Sequence, residues 1–219
     1  MVVAVIGITG RIGKRAVPAL VARGVKVYGG NRRIKRVPDG MKAMLARMAQ
    51  VDTGDPVSLD ALIAGADAVL LAAAPTREHP EEYPEHSRNV IEACRRMGVK
   101  RLVAMSNYKA LLAPDGRPMM DAEPAHPVFH DIEASFDAED AVFRAEKELD
   151  WVLIAGGADT KPYAPARGDY RIQEDVLLVS GELTSFKDSS TISLDDLTAC
   201  AVNEIMEPKH SRALICAAY

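Results

Sequence analysis

Gly7-Ile8-Thr9-Gly10-Arg11-Ile12-Gly13 follows the apolar run Val2-Val3-Ala4-Val5-Ile6 and opens a segment carrying Ile12, Val17, Leu20 and Val21 on one side. An apolar strand, a glycine turn and an amphipathic helix in that order read as the first βαβ unit of a nucleotide-binding domain. Glycine allows the tight turn, lets backbone approach a pyrophosphate, and lets the helix pack on the strand. The helix N-terminus then turns free N–H groups and a positive dipole end toward the phosphates. The expected phosphate contacts are Gly7, Thr9, Gly10, Arg11, Ile12 and Gly13. Their spacing departs from the Gly-x-Gly-x-x-Gly of the standard dinucleotide fingerprint.

Outward from this loop the pattern alternates apolar runs with amphipathic segments, as in a parallel sheet covered on both faces. Strands are expected over residues 2–6, 25–28, 48–52, 68–73, 100–105, 151–154 and 213–217, and helices over 11–23, 56–63, 85–97, 132–149 and 194–206. Gly24 and Gly98 stand where C-terminal caps belong. Pro18 should kink or shorten the first helix, and the Pro-, Asp- and Gly-rich stretch 113–127 reads as a surface loop. The fold class is α/β: a Rossmann-type doubly wound parallel sheet with a small C-terminal cap. One NAD(P)-binding domain accounts for residues 1–219, its substrate-side cap elements lying mainly in 155–193.

Composition narrows the partners. With 219 residues, 48% hydrophobic and 26% charged, the chain can bury a sizeable core. A net charge of -4 argues against a nucleic-acid binder, which would show a basic excess. Cys94, Cys200 and Cys216 lie far apart and form no zinc or redox pair. The longest apolar stretch, Ala68 to Pro75, is too short to span a bilayer, and no targeting segment precedes the first strand. The expectation is a soluble cytoplasmic protein, a monomer or a homodimer, acting on a small-molecule acceptor without nucleic acid or membrane.

The end of strand two selects the cofactor. NAD enzymes place an acid there, on the ribose 2′-hydroxyl; this chain has Gly30-Asn31-Arg32-Arg33. Arg32 and Arg33 could clamp a 2′-phosphate, so NADPH is preferred over NADH; the alternative is a solvated basic turn that Lys35 and Arg36 continue. Asp52 stands where it could hydrogen-bond the adenine amino group or simply form a turn. Ala73 and Ala74, in Ala72-Ala73-Ala74-Pro75, have side chains small enough to let the ribose and nicotinamide lie against backbone.

Standard short-chain dehydrogenases carry Tyr-x-x-x-Lys, in which lysine lowers the tyrosine pKa. No tyrosine here has lysine four residues on. At the carboxyl end of strand five stands Met105-Ser106-Asn107-Tyr108-Lys109, so the catalytic candidates are Ser106, which could orient a carboxamide or donate a hydrogen bond, and Tyr108 as proton donor. His126 and His130 are four apart, but Pro127 between them disfavours a metal pair, and no metal is expected. His79 and His86 read as part of a rim. The charged run Asp137 to Glu148 reads as a solvated outer helix face.

Several of these motifs converge on one family. The Gly7–Gly13 loop resembles the Gly-x-Thr-Gly-x-x-Gly loop of atypical short-chain dehydrogenases. Asp137-Ala138-Glu139-Asp140 and Leu149-Asp150-Trp151-Val152-Leu153-Ile154 look like their helix-to-strand passage. Gly168 to Ile172, Asp175 to Leu178, Ser190 to Leu197 and Glu207-Pro208-Lys209-His210 are similar to the NADH-flavin reductase and biliverdin-IXβ reductase group, which includes NmrA-like members. The resemblance implies hydride transfer from NAD(P)H to a flat conjugated acceptor such as a flavin, quinone or tetrapyrrole, with Ser106 matching the serine the biliverdin reductases carry after strand five. Ala155-Gly156-Gly157-Ala158 departs from their proline-containing turn and lacks their histidine, which weighs against a tetrapyrrole. Two alternatives stay open: an NADP-binding, redox-sensing regulator without turnover, as in NmrA-like proteins, and a sugar-nucleotide epimerase or dehydratase, disfavoured by the missing Tyr-x-x-x-Lys.

Overall fold

The computed structural model describes residues 1–219. In chain order the elements begin β1 (Val2–Ile6), α1 (Gly13–Ala22), β2 (Lys26–Asn31), α2 (Asp39–Lys42), β3 (Arg47–Gln50), α3 (Pro56–Ile63), β4 (Ala68–Leu71), α4 (Tyr83–Met97) and β5 (Arg101–Met105). They continue α5 (Met119–Ala122), α6 (His130–Ala145), β6 (Asp150–Gly156), β7 (Asp159–Lys161), β8 (Arg171–Glu174), α7 (Phe186–Ser189), β9 (Thr191–Ser193), α8 (Leu194–Met206) and β10 (Ala213–Ala218). The central sheet has the order β3-β2-β1-β4-β5-β6-β10-β8. Its strands are parallel except β8, which runs antiparallel to β10. This is a Rossmann-type α/β fold.

Strand alternation explains why both faces are covered. Val3 and Val5 point to one core, with Val17 and Leu20 of α1 and Val202 of α8. Ala4 and Ile6 point to the other, with Leu59 and Leu62 of α3, Val90 of α4 and Phe143 of α6. The two clusters hold 26 and 28 buried residues, so neither face of the sheet is left to solvent. Gly98, at φ 72°, ends α4 in the left-handed conformation that favours glycine. No helix is long and apolar enough to cross a membrane.

Several expectations need correcting. Pro18 does not divide α1, which runs through it, although the helix is shorter than expected, from Gly13 to Ala22. Its missing N–H would have served Lys14, an exposed residue whose carbonyl can meet water. β2 runs on to Asn31, which pairs with Gln50 of β3, and β4 stops at Leu71, where its pairing with β1 and β5 ends. The stretch 113–127 is not wholly a surface loop: Ala113 and Met119 are buried, Met119 at the start of α5. Helix α6 ends at Ala145, where Glu146 turns to extended backbone.

The segment 155–193 divides. β7 and β9 pair in a small parallel sheet of their own, while β8 joins the main sheet as its edge. The order of strands reverses between β1 and β4, and the crevice beyond their carboxyl ends is where this architecture binds ligands.

Candidate active site

A cleft of about 540 Å³ opens at that reversal point. Gly7, Thr9, Gly10, Arg11 and Ile12 form one wall, with Arg32 and Asp52 beyond them; Ala72 to Thr76 lie on the floor, and Met105, Ser106, Phe136, Leu194 and Leu197 close the other end. Cleft chemistry therefore runs from cationic and amide-rich to apolar.

The loop is built for close approach. Gly7 has φ +90°, and a Cβ there would lie 3.0 Å from Ala73 N. A Cβ on Gly13 would lie 2.2 Å from Gly7 O, so Gly13 sits behind the loop and lets α1 press against it. Gly10 N donates to Gly7 O at 2.9 Å and Lys14 N to Gly10 O at 3.1 Å, whereas the amides of Thr9, Arg11, Ile12 and Gly13 donate to no group of the chain. The first turn of α1 holds no acidic residue and its N-cap makes no side-chain hydrogen bond. Unspent donors at a positive helix end are what a pyrophosphate needs. These residues fit a dinucleotide.

At the end of β2, Thr9 Oγ1 donates to Asn31 Oδ1 at 2.8 Å, and Asn31 Nδ2 donates to the Arg33 carbonyl at 3.1 Å. Asn31 is thereby fixed, and Arg32 follows it into the cleft wall, exposed and without a carboxylate partner. Arg33 is exposed as well but does not line the cleft, because the chain turns away after Arg32. The paired clamp expected of the two guanidinium groups reduces to one. Asp52 serves as a turn former and a cleft wall at once: its Oδ1 accepts from Gly54 N at 3.0 Å while the residue lines the cavity.

Ser106 lies at the apolar end with its Oγ buried and unpartnered. Tyr108, the other catalytic candidate, is absent from the cleft. Its hydroxyl donates to Glu123 Oε2 at 2.7 Å, beside buried Lys109, whose Nζ is 2.9 Å from the same oxygen. Burial, then the Glu123 carboxylate, raise the Tyr108 pKa. Tyr108 thus belongs to a packing cluster and reaches no acceptor. His126 and His130 do not converge: the first accepts from Val128 N and the second pairs with Asp131. His79 and His86 both line the cleft.

Sequence reasoning missed Tyr83 and Glu139. Tyr83 lines the cleft, donates to Ala73 O at 3.2 Å and meets the edge of Phe136 at a centroid distance of 5.4 Å. Glu139, read from sequence as part of a solvated face, is 0% exposed. The signal was its register: Phe136, Glu139 and Phe143 share one stripe of α6, and both phenylalanines are buried. Burial pushes the Glu139 carboxyl up to about 8, with the Ser87 hydroxyl working against it. Ser87 Oγ donates to Glu139 Oε1 at 2.7 Å.

Comparison with known proteins matches this geometry. The family model described as NAD(P)H-binding covers residues 7–208. The chain belongs to this NAD(P)H-binding family. Among curated proteins, cinnamoyl-CoA reductase 1 of Oryza sativa subsp. japonica is 34% identical over 121 residues, 50% of this chain and 35% of that protein. The 4-hydroxy-2-methyl-3-oxo-4-farnesyl-3,4-dihydroquinoline-1-oxide ketoreductase of Stigmatella aurantiaca is 32% identical over 133 residues, 57% of this chain and 38% of that protein. The aligned regions thus span just over a third of the length of these relatives.

Among solved structures, a Bacteroides thetaiotaomicron protein assigned as an epimerase superposes with TM-score 0.86 at 23% identity, covering 100% of this chain and 96% of that one. A Streptococcus pneumoniae TIGR4 protein assigned as an NADH-flavin reductase gives 0.79 at 21%, covering 100% and 99%. A Veillonella parvula DSM 2008 short-chain dehydrogenase/reductase in complex with NADP gives 0.76 at 12%, covering 100% and 94%. These likenesses are of fold. The chain thus belongs to the NAD(P)H-binding family and shares its architecture with these solved proteins.

Proposed function

We propose that the protein is an NADPH-dependent reductase that passes a hydride to a neutral, conjugated acceptor such as a quinone or a flavin. The observation that carries this reading is the polarity of one continuous cleft, with open amides and Arg32 at one end and Ser106 among apolar side chains at the other. The amides of Thr9, Arg11 and Ile12 would hold the pyrophosphate, with buried Gly13 supporting the loop from behind; Arg32 would hold the 2′-phosphate, and Ala73 and Ala74 would leave room for the ribose. When bound, a reduced nicotinamide supplies the hydride. Ser106 has a buried hydroxyl with a free proton to offer, suited to the carboxamide or to a carbonyl oxygen of the acceptor. Met105, Phe136, Leu194 and Leu197 would exclude water and stack against a flat ring. No lysine or arginine lines that end of the cleft, which favours an uncharged acceptor over a phosphorylated or carboxylated one. The partial matches to a cinnamoyl-CoA reductase and a quinoline-oxide ketoreductase support reduction of a conjugated carbonyl.

The test is calorimetric titration with NADPH and NADH, followed by NADPH oxidation with a panel of quinones and flavins. Tight NADPH binding with steady turnover is the expected result. Tight binding with no turnover on any acceptor would replace this reading with that of a redox-sensing regulator.

A further inference from the structure

Hydride transfer leaves the acceptor one proton short, and the cleft holds few groups able to supply it. Tyr108 is turned away on Glu123. The three cysteines are buried and none lines the cleft. Ser106, His79 and His86 line the cleft, and so does Tyr83, whose hydroxyl is held by Ala73 O at the end of β4 and whose ring meets the edge of Phe136, itself a wall of the same cavity.

Behind Tyr83 lies Glu139, fully enclosed. Its Oε1 accepts from Ser87, while Oε2 is buried with no partner. A buried carboxylate in that state forfeits a hydrogen bond it would have had in water. A protonated carboxyl relieves the conflict, since it can itself donate to the neighbouring tyrosine oxygen. The surroundings favour the proton too. α4 contributes only Tyr83 and Ser87, and the nearest charge on α6 is Asp140, a second carboxylate whose own cation, Arg144, is spent on it at 2.6 Å. No cation faces Glu139, and its carboxyl is held up to about 8 by burial.

We propose that Tyr83 hands the proton to the acceptor during reduction and that Glu139 is the buried acid that reloads it. The inference rests on the reductase reading above. In balance, the acceptor gains a hydride from NADPH and a proton from the Tyr83 hydroxyl, and the Glu139 proton passes to Tyr83. Glu139 is left as a carboxylate held by Ser87 and Tyr83. Water entering as product leaves returns the proton, so each turnover takes one hydride from NADPH and one proton from solvent. Tyr83 is the catalytic residue; Glu139 acts through it.

The proposal is tested on the whole protein with NADPH and a soluble naphthoquinone, comparing wild type with Tyr83→Phe and Glu139→Gln. Phenylalanine keeps the ring against Phe136, and glutamine keeps the shape and an acceptor for Ser87. Both variants should bind NADPH within about twofold of wild type and lose roughly tenfold or more in kcat. Wild-type kcat should fall as pH rises through about 8, and Glu139→Gln should lose that limb. Independently of turnover, the infrared spectrum of the wild type at neutral pH should show the carbonyl stretch of a protonated carboxylic acid, missing from Glu139→Gln.

Wild-type rate and pH profile in Tyr83→Phe would overturn the relay and leave the reductase standing. Absence of the infrared band from the wild type would overturn the role of Glu139. No wild-type turnover on any acceptor, with NADPH bound, would remove both readings together. Should Glu139→Gln fail to fold, Tyr83→Phe and the wild-type spectrum decide the matter.

Discussion

Arg32 and Glu139 carry opposite electrostatic burdens, and each gives a measurable expectation. Arg32 is exposed and unpaired, so its contact with a 2′-phosphate is screened by solvent. Arg32→Ala should weaken NADPH binding by roughly tenfold and NADH binding hardly at all, read by parallel titrations. Equal losses for both cofactors would remove the assignment. Glu139 has its folded-state pKa raised from the ordinary 4.5 to about 8. Between those values the folded protein binds more protons than the unfolded chain, so this residue's contribution to stability declines as pH rises across that window and is level above it. Glu139→Gln cancels the slope. Unfolding free energies from urea melts should therefore favour the variant over wild type progressively from about pH 5 to pH 8, by an amount on the order of a few kcal/mol. Gly13→Ala tests the loop itself: the added carbon would meet Gly7 O at 2.2 Å, so α1 or the loop must move. We expect the variant to lose about 1–3 kcal/mol of stability and most of its cofactor affinity.

Among the elements, α8 depends most on a single side chain. Ser193 caps it, accepting from Asp196 N at 3.0 Å, and Asp196 in turn gathers Arg167 N at 2.6 Å, Gly168 N at 3.1 Å and the Tyr219 hydroxyl at 2.5 Å. Burial works against the Asp196 carboxylate, but these donors outweigh it and set its pKa below the ordinary value. The stabilisation is present above the unfolded carboxyl range and is lost as pH falls through the depressed folded value. Asp196→Ala should free the loop at 167–168, destabilise the protein by about 2 kcal/mol or more, and flatten stability in the acid range, as followed by urea melts. The α8 boundaries, like those of α3, were legible from the sequence because a cap residue and an apolar periodicity coincide there. α6 was harder to read. Its charged run Asp137 to Arg144 hides a buried face, since one carboxylate on the apolar stripe looks the same in sequence as its solvated neighbours. Tyr83 was hidden for a related reason: Pro80 and Pro84 suggested an irregular rim, yet the helix starts there with Pro84 in its first turn, where no donor is lost.

At the scale of the whole molecule, the phosphate loop and the parallel sheet could be read at once, because strand, turn and helix are local signals. Of the cleft's far wall only Ser106, at the carboxyl end of β5, was legible; Phe136, Thr160 and Leu197 join it only through the tertiary fold. Arg33 and Tyr108 show the limit: Arg32 and Ser106 reach the cleft, and one or two residues further along a turning backbone the side chain points elsewhere. Ligand linkage offers a global check. At a hundred times its dissociation constant, a cofactor should add about 2.7 kcal/mol of stability. For a chain of this size that is roughly 5–10 °C in Tm, and the rise with NADPH should exceed that with equal NADH. The order β6-β10-β8 has another consequence, for synthesis on the ribosome. β8 emerges well before β10, the strand that must slot between it and β6. Until Ala213–Ala218 arrives, the nascent protein carries two unpaired strand edges, β6 facing inward and β8 with no sheet to join. Arrest or truncation ahead of Ala213 should yield a sticky, chaperone-dependent product, although the nucleotide loop is by then fully made.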